Sequence, residues 1–216
     1  EEQLVRVYLP PDANSLLVAT QECLESTNRV NVIVSDKQPI RQWLTYEEAL
    51  EQSRIGASVW KFASDNNPDV VLAACGDYQT AETLAAIKLL KQHIPSIKVK
   101  MVNVSELNVL GAPHLYPDAL GENEFNELFT KDKEVVFLFH GYPETIKQLL
   151  FDRANNKRFH IYGYMEKGTT TTPFDMLIRN NVSRYHIAIR ALKYAAKNNF
   201  VVSLKAKSLI KMFEDK

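Results

Sequence analysis

Three groups of residues have types and spacings suited to chemistry. Gly76, Asp77 and Thr80 form a glycine turn that runs from an apolar strand into a helix. The free N–H groups and partial positive charge of such a helix start favour an anion by roughly 0.3–1 kcal/mol. Asn103 with Ser105, and His140 with Gly141 and Tyr142, lie just past two further apolar strands. Ligands of parallel sheets sit outside the carboxyl ends of the strands, so these groups can converge on one crevice. His140 has the makings of a general base or proton relay there.

Each group also has a structural role to weigh. Cys75-Gly-Asp-Tyr-Gln-Thr80 has one glycine where a dinucleotide fingerprint needs three, and Asp77 would repel a phosphate. Gly76 then serves as a turn residue and Asp77 or Thr80 as a helix cap. No motif sets a Ser or Cys nucleophile or a second carboxylate beside His140, which fits a hydrogen-bonded structural histidine. Lys147, Arg153, Lys157 and Arg158 form a basic cluster, read as a solvated face unless a phosphorylated metabolite meets it. Thr169, Thr170, Thr171 and Thr172 offer hydroxyl donors to a site, or form a loop docked against another domain. Cys23 and Cys75 lack metal-ligand spacing and a disulfide framework. There is no P-loop, zinc-type spacing or Gly-Ser elbow.

The elements that position these residues follow from periodicity and punctuation. Residues 68–104 read as one βαβ unit: a buried strand at 70–74, a helix from about Thr80 to His93, a break at Pro95 and a strand at 99–104. That unit seeds a parallel sheet covered by helices. Before it, 4–9 is extended but linker-like, stopped by Pro10 and Pro11. Asp12 or Asn14 caps a helix over 15–26, and 29–34 makes the first sheet strand. Thr45 and Glu48 match a capping box, with Gly56 ending that helix. In residues 57–64, Val59, Trp60 and Phe62 are expected to pack rather than to form a recognition surface. After the unit, 105–121 is a long connection of the kind that is often functional. Helices are expected at 122–129, 143–151, 174–179, from Ser183 onward and at 204–213, with strands at 134–139 and, at a sheet edge, 159–163. The sum is one α/β domain over 1–216 with a sheet of about five strands, 1–14 linker-like and 183–216 forming C-terminal helices.

Composition narrows the function classes. Among 216 residues, 26 Lys and Arg balance 26 Asp and Glu, so no global field draws nucleic acid or an anionic membrane. The longest apolar runs, such as Val135–Phe139, are far too short to span a bilayer. A cytoplasmic protein without nucleic-acid or membrane partners is expected. A start at Glu1 with no Met and no signal-like segment reads as a piece of a longer polypeptide.

Several runs, in order, resemble the C-terminal domain of phosphoketolase: Val5-Arg-Val-Tyr-Leu-Pro-Pro-Asp-Ala-Asn14, Val32-Ile-Val-Ser-Asp-Lys-Gln-Pro39, His140-Gly-Tyr-Pro143 and Gly168-Thr-Thr-Thr-Thr-Pro-Phe-Asp-Met176, with Asn180 and Arg184-Tyr-His186. The resemblance covers essentially the whole chain. It implies a three-layer αβα sandwich like the transketolase C-terminal domain, with a mixed, mostly parallel sheet. It also implies a parent enzyme that uses thiamine diphosphate and magnesium to cleave xylulose 5-phosphate or fructose 6-phosphate with phosphate, giving acetyl phosphate. In that family cofactor, metal and catalytic histidines belong to the first two domains, across a dimer interface. The family's Gly-Asp-Gly and Asn-Asn cofactor motif is missing here: Gly76-Asp77 is followed by Tyr78, and Asn180-Asn181 has no such motif before it. The resemblance therefore implies no catalytic, cofactor or metal residue in this chain, and as partners the other two domains and a second subunit. The alternative is a regulatory module binding an anionic effector near Gly76, Thr80 and His140; a stand-alone hydrolase or transferase using His140 has least support.

Overall fold

The computed structural model describes residues 4–168 and 170–216. In chain order the elements are β1 (Val5–Tyr8), α1 (Ala13–Glu25), β2 (Val30–Ile33), α2 (Tyr46–Ile55), β3 (Ala57–Val59), β4 (Val70–Cys75), α3 (Asp77–His93), β5 (Val99–Val104), α4 (Glu122–Phe129), β6 (Val135–Phe139), α5 (Pro143–Leu149), β7 (Phe159–Gly163), α6 (Pro173–Arg179), α7 (Arg184–Ala195) and α8 (Phe200–Glu214). β3, β5, β4, β6 and β7 form a five-stranded sheet in that order, parallel except for β3.

Alternate side chains of the central strands feed two cores. Val70, Leu72, Ala74, Met101 and Leu138 pack on one face under α3, α7 and α8. Val71, Ala73, Val102, Phe137 and Phe139 pack on the other with Phe125 and Phe129 of α4 and Ile146 of α5. Every residue of β4 is fully buried, which is why VVLAAC carries no polar alternation. Fully burying one such aliphatic or aromatic side chain is worth roughly 1.5–3 kcal/mol. Helices thus cover both faces, the three-layer arrangement that the sequence implied.

Local chemistry sets the ends of the elements. Asp12 caps α1, its Oδ1 accepting from Ser15 N–H at 2.9 Å, while Oδ2 accepts from Trp43 and Leu44 N–H at 2.9 and 2.8 Å. Thr45 and Glu48 make the expected capping box on α2, and Gly56 ends it in a left-handed conformation at φ +77°.

The amino-terminal third departs from expectation. Residues 29–34 do form a strand, but outside the main sheet: β2 pairs in parallel with β1 in a separate two-stranded sheet. The linker-like reading of 1–14 misses β1, which Pro10 and Pro11 terminate without preventing. The main-sheet edge beside β5 is held instead by β3, read as packing only, with Ser58 paired to Asn103. β2 exposes Val30 and Val32, so it lacks the two-sided burial that an inner strand needs. The small sheet is tied down by Leu107 N–H to Val7 O at 3.0 Å and by Arg6 and Arg29, both paired with Asp118.

Candidate functional site

At the carboxyl ends of β4 and β6 the chain brings Gly76, Asp77 and His140 together. β5 lies on one side of β4 and β6 on the other, so the helices leave on opposite faces and open a crevice there. Gly76 has φ +109°, and a Cβ on it would lie 2.6 Å from His140 Cβ and 3.0 Å from Gln79 Oε1. Only glycine lets α3 start this close to His140. α3 begins three residues earlier than the periodicity suggested, with Gly76 as its N-cap and Asp77 as its first residue, neither supplying a side-chain cap in the expected manner.

Asp77 is 4% exposed. Its Oδ1 accepts from Tyr78 N–H at 2.6 Å and lies 3.2 Å from His140 Nδ1. A carboxylate only accepts, so Nδ1 is the donor in this contact. The His140 ring meets Tyr164 edge-on at 5.1 Å, and Tyr164 stacks on Tyr78 at 5.8 Å. Asp36 adjoins the Tyr78 hydroxyl and lies within electrostatic reach of His140. Burial, and then Asp36, push the Tyr78 phenol up; burial, then Asp77 and Asp36, do the same to Tyr164. Burial raises the Asp36 carboxyl, but hydrogen bonds from Gln38 N–H and Tyr78 outweigh it and leave it lowered.

Thr80 and Asn103 lead into the protein from this point. Thr80 Oγ1 donates to Gly76 O at 2.6 Å and accepts from Asn103 Nδ2 at 2.9 Å. Asn103 Oδ1 accepts from Gln52 Nε2 at 2.7 Å, and Gln52 Oε1 accepts from Trp60 Nε1 at 2.8 Å and Ser58 Oγ at 2.5 Å. Both are fully buried, so their polar atoms link α2, β3, β5 and α3. Ser105 Oγ donates to Gly56 O at 3.1 Å. Gly141 lies against the Phe139 ring, where a Cβ would come within 2.7 Å, and Tyr142 is exposed just before α5. Tyr78, Gln79, Tyr164 and Asp36 were missed; extending the carboxyl-end rule to β7 would have found Tyr164, the residue immediately after that strand.

The basic cluster divides: Lys147 and Lys157 are exposed, as a solvated face requires, whereas Arg153 and Arg158 turn inward. Arg153 is buried and donates to Leu110, Val109 and Leu120 carbonyls, pairing with Glu122 at 3.3 Å. Arg158 is buried and donates to Phe129, Thr130 and Lys133 carbonyls, closing the end of α4. The 105–121 connection is accordingly packed inward, with Leu107, Val109, Leu110 and Leu120 in the core. In the threonine run, Thr169 lies outside the described residues and Thr170 is exposed. Thr171 and Thr172 donate to Asp175 Oδ2 at 3.1 and 2.7 Å, and Thr172 caps α6. Burial raises the Cys75 thiol strongly. Among the described residues no group of three or more His, Cys, Asp or Glu is placed to hold a metal ion, and no helix is long and apolar enough to cross a membrane. A groove of about 620 Å³ lies elsewhere, against Trp60, Phe62, Ile55 and Leu128.

The fold is that of an α/β module of transketolase-like enzymes. A Pichia stipitis transketolase structure matches 89% of this chain and 25% of its own length with a TM-score of 0.66 at 16% identity. A Leishmania mexicana transketolase matches over the same shares with a TM-score of 0.64 at 15% identity. The XFP C-terminal domain model matches residues 37–216, and the chain belongs to that family, the C-terminal domain of phosphoketolases. A probable phosphoketolase of Brucella suis is 44% identical over 99% of the chain, and one of Rhodopseudomonas palustris strain TIE-1 is 49% identical over 89%. The chain spans 27% and 25% of those relatives' lengths, about a quarter.

Proposed function

We propose that this chain is the non-catalytic third domain of a thiamine-diphosphate-dependent phosphoketolase. The parent enzyme converts xylulose 5-phosphate or fructose 6-phosphate, with phosphate, into acetyl phosphate, an aldose phosphate and water. Cofactor and magnesium are carried by the rest of the enzyme, while this domain packs on its neighbours, supports the dimer and shapes the substrate channel.

The supporting observation is the internal use of Thr80 and Asn103 at the strand ends. Thr80 and Asn103 are consumed in a closed hydrogen-bond relay to Gln52 and Trp60. Cys75 is buried with its thiol raised, unsuited to act as a thiolate beside His140. A packing role is in keeping with the exposed apolar side chains Leu17, Leu24, Val30 and Val32 on α1 and β2, and Phe200 and Leu204 on α8. One structural neighbour, which this chain covers for 58% of its length, is a split-gene transketolase described as an inactive β4 tetramer.

Trans-complementation tests the proposal. The 216-residue chain, assayed with sugar phosphate, phosphate, thiamine diphosphate and magnesium, should give no acetyl phosphate. Added to a separately expressed upstream portion of a phosphoketolase, it should restore turnover. Turnover by the chain alone would refute the non-catalytic role, and an upstream portion fully active without it would refute the packing role.

A further inference from the structure

Two exposed patches of this domain are opposite in charge and alike in carrying apolar surface. The first is the groove of about 620 Å³ beside β3. Trp60 and Leu128 are buried in its floor, and Ile55 is 47% exposed there. Phe62, expected to pack, is 62% exposed, with its ring 5.3 Å from that of Trp60. Glu48 and Glu51 line the groove from α2, Glu124 and Glu127 line it from α4, and all four are exposed. Against these four acids the lining holds one cation, Lys61, and Lys100 lies within electrostatic reach of Glu127. Glu48 and Glu124 each accept from a backbone N–H at the start of their own helix. Among the described residues none of the four acids is in an ion pair.

The second patch is the outer face of α8. Val202, Ala206 and Phe213 turn that helix inward, and Phe200, Leu204, Lys207 and Lys211 recur at i, i+4, i+7 and i+11 along its other side. All four are exposed, Phe200 by 76% and Leu204 by 66%. The helix carries Lys205, Lys207 and Lys211 against a single acid, Glu214, and among the described residues none of these lysines is in an ion pair. An amphipathic helix enters a groove through anchors at this spacing, and opposite charge around the anchors selects the partner. Within one copy α8 packs on α7, and no residue of α8 lines the groove. A contact between the two patches therefore joins two copies of the chain.

We infer that the groove beside β3 receives α8 of a second copy of this chain. Phe200 and Leu204 cover the apolar floor at Ile55 and Phe62, and Lys207 and Lys211 meet the glutamates of α2 and α4. One contact thus accounts for both patches, since every copy carries the helix and the groove. The inference rests on the reading that this domain supports a dimer, and it names the surfaces that meet.

Sedimentation equilibrium of the 216-residue chain at rising concentration tests it, each variant first being shown to melt cooperatively. Glu51→Lys/Glu127→Lys and Lys207→Glu/Lys211→Glu should each weaken self-association by at least about tenfold, and an equal mixture of the two variants should associate again. In parallel, the full-length enzyme carrying Phe62→Cys/Leu204→Cys is oxidised and read by mass spectrometry. A disulfide between the two introduced thiols at doubled subunit mass reports the contact in the assembled enzyme, and either charge reversal should cut its yield. Either signal, lost in the charge reversals, supports the inference. The absence of both signals, or a signal that the reversals leave unchanged, overturns it. If both are absent while the full-length enzyme is still a dimer, this contact is refuted and the dimer-supporting reading stands.

Discussion

Glu82 and Arg184 are locked together across the core-facing side of α3. Arg184 Nη2 lies 2.6 Å from Glu82 Oε1, Nε lies 3.1 Å from Oε2, and the Arg184 backbone N–H donates to Oε2 at 2.6 Å. Glu82 is buried, so the three donors at once neutralise it and fix the first turn of α7.

Breaking that lock from one side strands a buried charge. Arg184→Met should destabilise the fold by about 1.5–3 kcal/mol, the range for hydrogen bonds to a charged group, and more than the double variant Glu82→Gln/Arg184→Met does. Urea unfolding of the two single variants and the double variant gives the coupling. Strict additivity would show that the pair is not coupled.

Gly76 carries two separate constraints, and they can be separated by mutation. Gly76→Ala meets both the left-handed backbone, which costs roughly 1–3 kcal/mol, and the His140 side chain. Adding His140→Gly should recover the part due to the clash while leaving the backbone part. Full recovery of the melting temperature would mean that φ +109° carries no strain.

Glu106 predicts an unusual pH dependence. Burial pushes its carboxyl up from 4.5 to about 7, against the pull of Arg6. Arg6 Nε lies 3.2 Å from Glu106 Oε1, yet donates its hydrogen bond to Asp118, leaving Oε1 without one. The folded state then holds more protons than the unfolded state between pH 4.5 and 7. This group's contribution falls as pH rises through that window and is constant outside it. Relative to wild type, Glu106→Gln should gain up to about 3 kcal/mol in unfolding free energy across the window. Parallel pH profiles for the two proteins would contradict this.

What could be read from sequence divides along physical lines. β4 and β6 were legible because two-sided burial demands unbroken apolar runs such as VVLAAC and VVFLF. The α2 ends were legible because Thr45, Glu48 and Gly56 act within their own helix. β3 was not, because three residues carry too little periodicity, and its place depends on pairing with distant β5. Arg153 and Arg158 were misjudged for a related reason: their partners are backbone carbonyls of residues 109–133, and a list of side chains does not reveal carbonyls in need of donors. At the site, Gly76, Asp77 and His140 followed from the carboxyl-end rule. The inward turn of Thr80 and Asn103 depended on Gln52, from an element with no obvious link to the crevice.

The Gln52–Asn103–Thr80 relay also bears on how the sheet finds its alignment. Asn103 sits opposite Ala74 of β4 and Ser58 of β3. A slip of one residue would swing its amide to the opposite face and present Val102 or Val104 to Gln52 and Thr80. Greasy strands slide past one another at little cost, whereas this misalignment would orphan several buried polar groups at once, at about 1–3 kcal/mol each. One fully buried asparagine in β5 therefore works as a proofreading mark, making the correct pairing of β3, β5 and β4 recognisable to a chain that is still folding.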